Sequence, residues 1–136
     1  MPVCTASVIV PAGIDRTGDY LAHVPHLPEW TGFFRSVGEP EDERYPAESA
    51  MGPIQTWAEH NQLPDCAQEI AICSLIHGRE EQASLLLHPA GTGTEVEFTV
   101  SLPDHADDTA ARQQTARMHS ELGTLRQLLE PQPARR

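Results

Sequence analysis

Lysine is absent from this chain: all nine basic residues are arginines, set against 20 aspartates and glutamates, for a formal net charge of −11. Binding to a phosphate backbone draws most of its affinity from clustered Lys and Arg, so no nucleic-acid partner is expected. The terminal pair Arg135-Arg136 only follows a proline-containing stretch. No apolar run approaches the roughly 20 residues that a bilayer-spanning helix requires. Nor does a basic segment followed by a hydrophobic one open the sequence, which predicts a cytoplasmic protein with no membrane span. Cysteine is scarce and odd in number. Cys4, Cys66 and Cys73 form no CxxC pair, so reduced thiols are expected rather than a disulfide frame.

Signatures of common chemistry are missing as well. Of the seven histidines, His23 and His26 stand three apart with Pro25 between them, and no HExxH spacing occurs. No metal site and no cofactor are therefore predicted. There is no Gly-x-Ser-x-Gly, and Gly91-Thr92-Gly93 reads as a hairpin turn with no helix after it to hold a phosphate. The sequence assigns no catalytic residue.

What is present is amphipathic patterning. Val96, Phe98, Val100 and Leu102 alternate with Glu95, Glu97, Thr99 and Ser101, the pattern of a half-buried antiparallel strand. After Pro103 and Asp104, residues 107–130 place Ala111, Met118, Leu122, Leu125 and Leu129 on one helical stripe. Laying that helix across the sheet buries both apolar faces, and if the two layers stand apart they enclose a cavity.

Upstream, Val3 to Val10 reads as a first strand closed by Pro11. Asp15 is expected to cap a short helix running to about Leu21, and Pro28 to open a second. Trp30, Phe33, Phe34 and Val37 recur at spacings that extend this second helix across all four. Strands are then expected at about 44–50, 53–61, 67–76, 80–88 and 94–102, separated by turn signals such as Gly52-Pro53 and His77-Gly78 and forming an antiparallel meander. Residues 1–130 are read as one domain and residues 131–136 as a flexible tail.

This order also resembles a known family. Val10-Pro11-Ala12 ending the first strand, Leu27-Pro28-Glu29-Trp30 in the second helix, the run from Gly93 to Val100, and Leu122 to Glu130 at the end are similar to the START-like, or SRPBCC, superfamily, in its polyketide cyclase/dehydrase and lipid-transport branch. The resemblance implies an α+β helix-grip fold: a curved antiparallel sheet wrapped around a long C-terminal helix, with two short helices after strand 1. It further implies a deep cavity for a hydrophobic or amphipathic small molecule. One fold that hosts lipid carriers, hormone receptors and cyclases does not choose among them.

On that expectation Trp30, Phe33, Phe98, Met118 and Leu122 line or back the cavity, while Trp57 and Gln114 give it shape and polarity. Tyr45, Glu59, His60 and Arg79 are candidate titratable groups, but strand parity near residues 54–59 does not say which of them face inward. Three functions stay open: carriage of a hydrophobic small molecule, a cyclase or dehydratase using polar groups in the cavity, and an interaction module whose cavity has collapsed. Oligomeric state is not specified by the sequence.

Overall fold

The structure is a computed structural model, and it describes residues 3–130; the expected tail lies outside them. In chain order the elements are β1 (Val3–Val10), α1 (Ile14–Ala22), α2 (Leu27–Trp30), β2 (Phe34–Val37), β3 (Tyr45–Ser49), β4 (Gly52–Gln62), β5 (Gln68–Ile76), β6 (Arg79–Ala90), β7 (Gly93–Ser101) and α3 (Asp108–Leu128). Single 3-10 turns, Val24–His26 and Pro64–Cys66, precede α2 and β5. The strands form one antiparallel sheet in the order β1-β7-β6-β5-β4-β3-β2. This is the α+β helix-grip architecture. None of the described helices is long and apolar enough to cross a membrane.

Alternation sets the inner face of the sheet. Val96 (fully buried), Phe98, Ile70, Ile72, Leu85 and Leu87 point into one core with Met118, Leu122, Leu125 and Leu129 of α3. At the start of α3 the side chain of Asp107 accepts the Ala110 amide at 2.8 Å, a conventional N-cap. The last strand and this helix match the expected register.

Two upstream expectations are corrected. Asp15 does not cap α1: Gly13 holds the cap position without a side-chain bond, and the Asp15 carboxylate accepts from Gln68 Nε2 at 2.9 Å. Gln68 is almost fully buried and its Oε1 lies 2.7 Å from His60 Nε2, so this network ties α1 to β4 and β5. Gly18 makes the docking possible, because a Cβ there would lie 2.2 Å from Gln68 Oε1.

The second helix, by contrast, lasts one turn. Thr31 turns to extended backbone, and its hydroxyl donates to Leu27 O at 2.9 Å while accepting from Phe34 N–H at 3.2 Å. The hydroxyl thus takes the Phe34 amide that a continuing helix would direct at Trp30 O. Phe34 and Val37 then belong to β2, where a register irregularity between Phe34 and Ser36 adds a residue to the strand. A bulge of this kind lets two positions three apart face the same side, which reproduces a helical spacing in a strand.

Candidate functional site

The concave face of the sheet is covered unevenly. Helix α3 packs chiefly on edge strand β1 and on α2, while α1 sits on one end of β4, β5 and β6. Between these supports, Tyr45, Ala58, Ile76, Ala83 and Val100 are inward-facing residues only half buried. Ala83 pairs directly with Val100, Ala58 with Ile72, and Tyr45 with Thr56, so these side chains line a largely apolar trough across five strands, and the exposed Arg79 and Glu81 of β6 stand on the same face opposite Ile76 and Ser74. At its floor the buried hydroxyls of Thr56 and Ser74 satisfy one another at 3.1 Å.

Polar groups gather on one face of α3. Gln114 and Glu121 lie two turns apart on the helix face that also carries Met118, and both are half buried. Arg117, exposed between them, donates to Gln114 Oε1 at 2.5 Å. Glu121 Oε2 accepts the Gly32 amide, just beyond α2, at 2.6 Å. Burial pushes the Glu121 carboxyl above its ordinary range, opposed by the Gly32 hydrogen bond and by the charge of Arg117. A half-desolvated carboxyl held by one backbone amide can exchange a proton with a bound molecule nearer neutrality than a surface glutamate does.

The residues expected to line a cavity divide into three groups. Trp30, Phe98, Met118 and Leu122 are packed core: Met118 and Leu122 have no exposure, and the Trp30 and Phe98 rings meet edge to face with centroids 5.6 Å apart. Their close packing fills the space between helix and sheet where an enclosed void was expected. Phe33, edge-on to Phe34 at 5.0 Å, and Gln114 lie at the half-exposed margin. Trp57 belongs to the other face. Ile54 and Thr56 point inward, so Trp57 points out to the convex side, where the Arg44 guanidinium lies 4.3 Å from its ring centre.

The remaining candidates separate too. Glu59 faces outward beside Cys73, whose thiol is pushed up by burial and by the charges of Glu59 and Glu80. That thiol is a poor nucleophile at neutral pH. His60 is committed to Gln68, and His26 stacks on Tyr20 with ring centres 4.1 Å apart while His23 meets it edge-on. Glu121 escaped the sequence reading, although it stands one heptad beyond Gln114 on the apolar stripe. That spacing was the available signal.

Two open depressions lie along the margins of α3. One, about 470 Å³, sits at the junction of β7 and α3 and is lined by Leu102, Ala106, Ala110, Gln114 and Arg117 among others. A second, about 540 Å³, runs between β1 and α3 past Val3, Thr5, Ala111 and His119. Both open to solvent. Trp30 Nε1–H is buried with no hydrogen-bond partner among the described residues, and an orphan donor of this kind is normally satisfied by a water or a ligand oxygen.

No protein-family model matches the sequence, nor does any curated protein. Solved structures do match in fold. A START superfamily protein from Mycobacterium smegmatis superposes with a TM-score of 0.63 at 8% identity, over 93% of this chain and 96% of that one. The chain has the START-like fold. Aha1 of Colwellia psychrerythraea, solved as a dimer, shares this fold with a TM-score of 0.67 at 15% identity, over 96% and 97% of the two chains. DynU16, a protein of the dynemicin biosynthetic locus, gives 0.62 at 18% identity over 93% of this chain, which corresponds to 46% of that larger one. In this START-like grip the helix closes one side of the curved sheet, and the trough described above is the side left open.

Proposed function

We propose that this START-like domain binds a hydrophobic or amphipathic small molecule along the open side of its grip. The observation that carries the reading is the half-covered concave face: a largely apolar row from Tyr45 to Val100, in a grip whose helix α3 carries Gln114, Arg117 and Glu121 on its Met118 side. The apolar part of a ligand replaces water over this row, at about 25 cal/mol for each Å² buried. Its polar end then meets the amide and guanidinium of the helix. Phe33 flanks the trough, while Trp30, Phe98, Met118 and Leu122 back it as rigid core and Trp57 takes no part. Likeness to START-family and dynemicin-locus proteins supports a small-molecule occupant without naming one.

The test is saturable binding of 1-anilinonaphthalene-8-sulfonate to the native chain, with native mass spectrometry of freshly purified protein for co-purified small molecules. Ala83→Trp fills the trough without touching α3 and is expected to weaken the probe at least tenfold while cooperative unfolding is retained. Unaltered affinity in the folded variant would refute the location.

Glu121 favours a second, catalytic reading. Its raised carboxyl, two turns from Gln114 on the same helix face, suits removal of a proton next to a ligand carbonyl, the step that opens aldol-type cyclisation. In D2O the parent protein should speed deuterium uptake at the α-carbon of a short β-ketoacyl thioester. Glu121→Gln should abolish the effect; equal uptake with both proteins would leave carriage as the function.

A further inference from the structure

Strand β1 is an edge of the sheet and carries eight residues, Val-Cys-Thr-Ala-Ser-Val-Ile-Val, with neither a charge nor a proline. Each of the other six strands contains at least one charged residue or proline, and the opposite edge, β2, is short, irregular and carries Arg35. This inverts the usual distribution, because charge, proline and bulges normally guard edges against pairing with another chain. In a chain of net charge −11, β1 itself brings no charge to a contact with another copy, and the glutamates that flank it on the convex face, Glu95 and Glu97, belong to the next strand in. Among the described residues, no backbone hydrogen bond outside the sheet and no side-chain bond engages the β1 main chain. The outer edge of β1 therefore has unpaired main-chain donors and acceptors.

Two of the four exposed large hydrophobic residues among the described residues lie on this strand: Val3 at 58% and Ile9 at 55% exposure, both on the convex face. Their spacing makes the strand self-complementary. When two antiparallel copies pair, facing residues must lie on the same side of the sheet, so the numbers of each facing pair sum to a constant even value. The sum of 12 sets Val3 of one copy opposite Ile9 of the other, twice. Thr5 then faces Ser7 on the convex side, Cys4 faces Val8 on the concave side, and Ala6 faces its own equivalent on the two-fold axis. A register two residues away in either direction separates the pair, setting Val3 opposite Ser7 in one case and Ile9 opposite Thr5 in the other.

We propose that β1 is the seam of a homodimer in which two sheets join antiparallel about a two-fold axis at Ala6. The association is isologous, so each apolar contact is made twice. It places the two β1–α3 grooves side by side across the axis, where the flanks of both helices are drawn into the interface.

Sedimentation velocity of the full chain from about 1 to 100 μM tests this. The parent is expected to shift from monomer to dimer with rising concentration. In V3K/I9K like charges face each other across the axis, and dimerisation should weaken at least tenfold. In V3E/I9K opposite charges face each other, and association should return and become sensitive to salt. Net charge alone predicts the reverse order, since V3K/I9K is the less acidic variant. Circular dichroism and thermal unfolding should show both variants folded, as expected of exposed positions. A parent that stays monomeric at 100 μM overturns the proposal, as does a dimer that V3K/I9K leaves intact or a pair of variants that associate equally.

Discussion

Leu125 and Leu128 stand within one turn of each other on α3, and replacing each by alanine separates packing from helix propensity. Leu125 has no solvent exposure and sits in the core with Met118, Leu122 and Leu129, whereas Leu128 is 39% exposed. The propensity change is the same in both variants. At Leu125 the three lost carbons forfeit about 2 to 2.5 kcal/mol of transfer free energy, and the unrelieved cavity brings the cost to about 2–5 kcal/mol. For a domain of this size each 1 kcal/mol moves Tm by roughly 3–5 °C, so Leu125→Ala should melt about 8–20 °C below the parent. Leu128→Ala should cost about 0.5 kcal/mol or less, a shift of roughly 2 °C. Differential scanning calorimetry on both, with urea midpoints as a second measure, decides the matter. Equal shifts in the two variants would mean that α3 does not present Leu125 to the sheet, and the covering of the grip by α3 would fall with it.

Glu121 predicts a pH effect of unusual sign for a carboxylate. Its folded pKa is raised by burial, so the folded chain holds the proton more tightly than the unfolded chain. The contribution to stability is complete below the unfolded value near 4.5 and is lost as pH rises through the higher folded value. Glu121→Gln should therefore stabilise the protein at pH 7 relative to its effect at pH 4, and urea midpoints that shift equally at both would contradict this. Gly18→Ala should destabilise, although alanine favours helices by about 1 kcal/mol, because its Cβ displaces Gln68 from both Asp15 and His60; a raised Tm would refute the docking. Thr56→Val should cost about 1–3 kcal/mol by stranding the Ser74 hydroxyl. Adding Ser74→Ala should then cost less than it does alone, a coupling that a double-mutant cycle reads directly.

The strand ending at Ser101 and helix α3 were legible in the sequence because each carries one unambiguous period and a clear break between them. Residues 30–37 were not. The bulge in β2 puts Phe34 and Val37 on one side of a strand at a helical interval, and the hydroxyl of Thr31 that stops the helix leaves no periodic trace. Strand β4 misled for another reason. Its inward Thr56 is polar and its outward Trp57 apolar, and the partners that reconcile them, Ser74 and Arg44, lie on other parts of the chain. The candidate site was half legible: Gln114 stood out as a polar residue on an apolar stripe, while the role of Glu121 depends on the Gly32 amide, a backbone group with no side-chain signature.

The placing of the two tryptophans on opposite faces of one sheet gives the molecule two separate optical reporters. Trp30, 4% exposed and held against Phe98, emits from an apolar, rigid surrounding and is shielded from aqueous quenchers. Trp57, half buried under the guanidinium of Arg44, emits from a polar one. With Trp57→Phe the remaining emission belongs to the concave side of the sheet alone, and with Trp30→Phe it belongs to the convex side. A change confined to the first signal then reports on the concave face and a change confined to the second on the convex face, without any label being added.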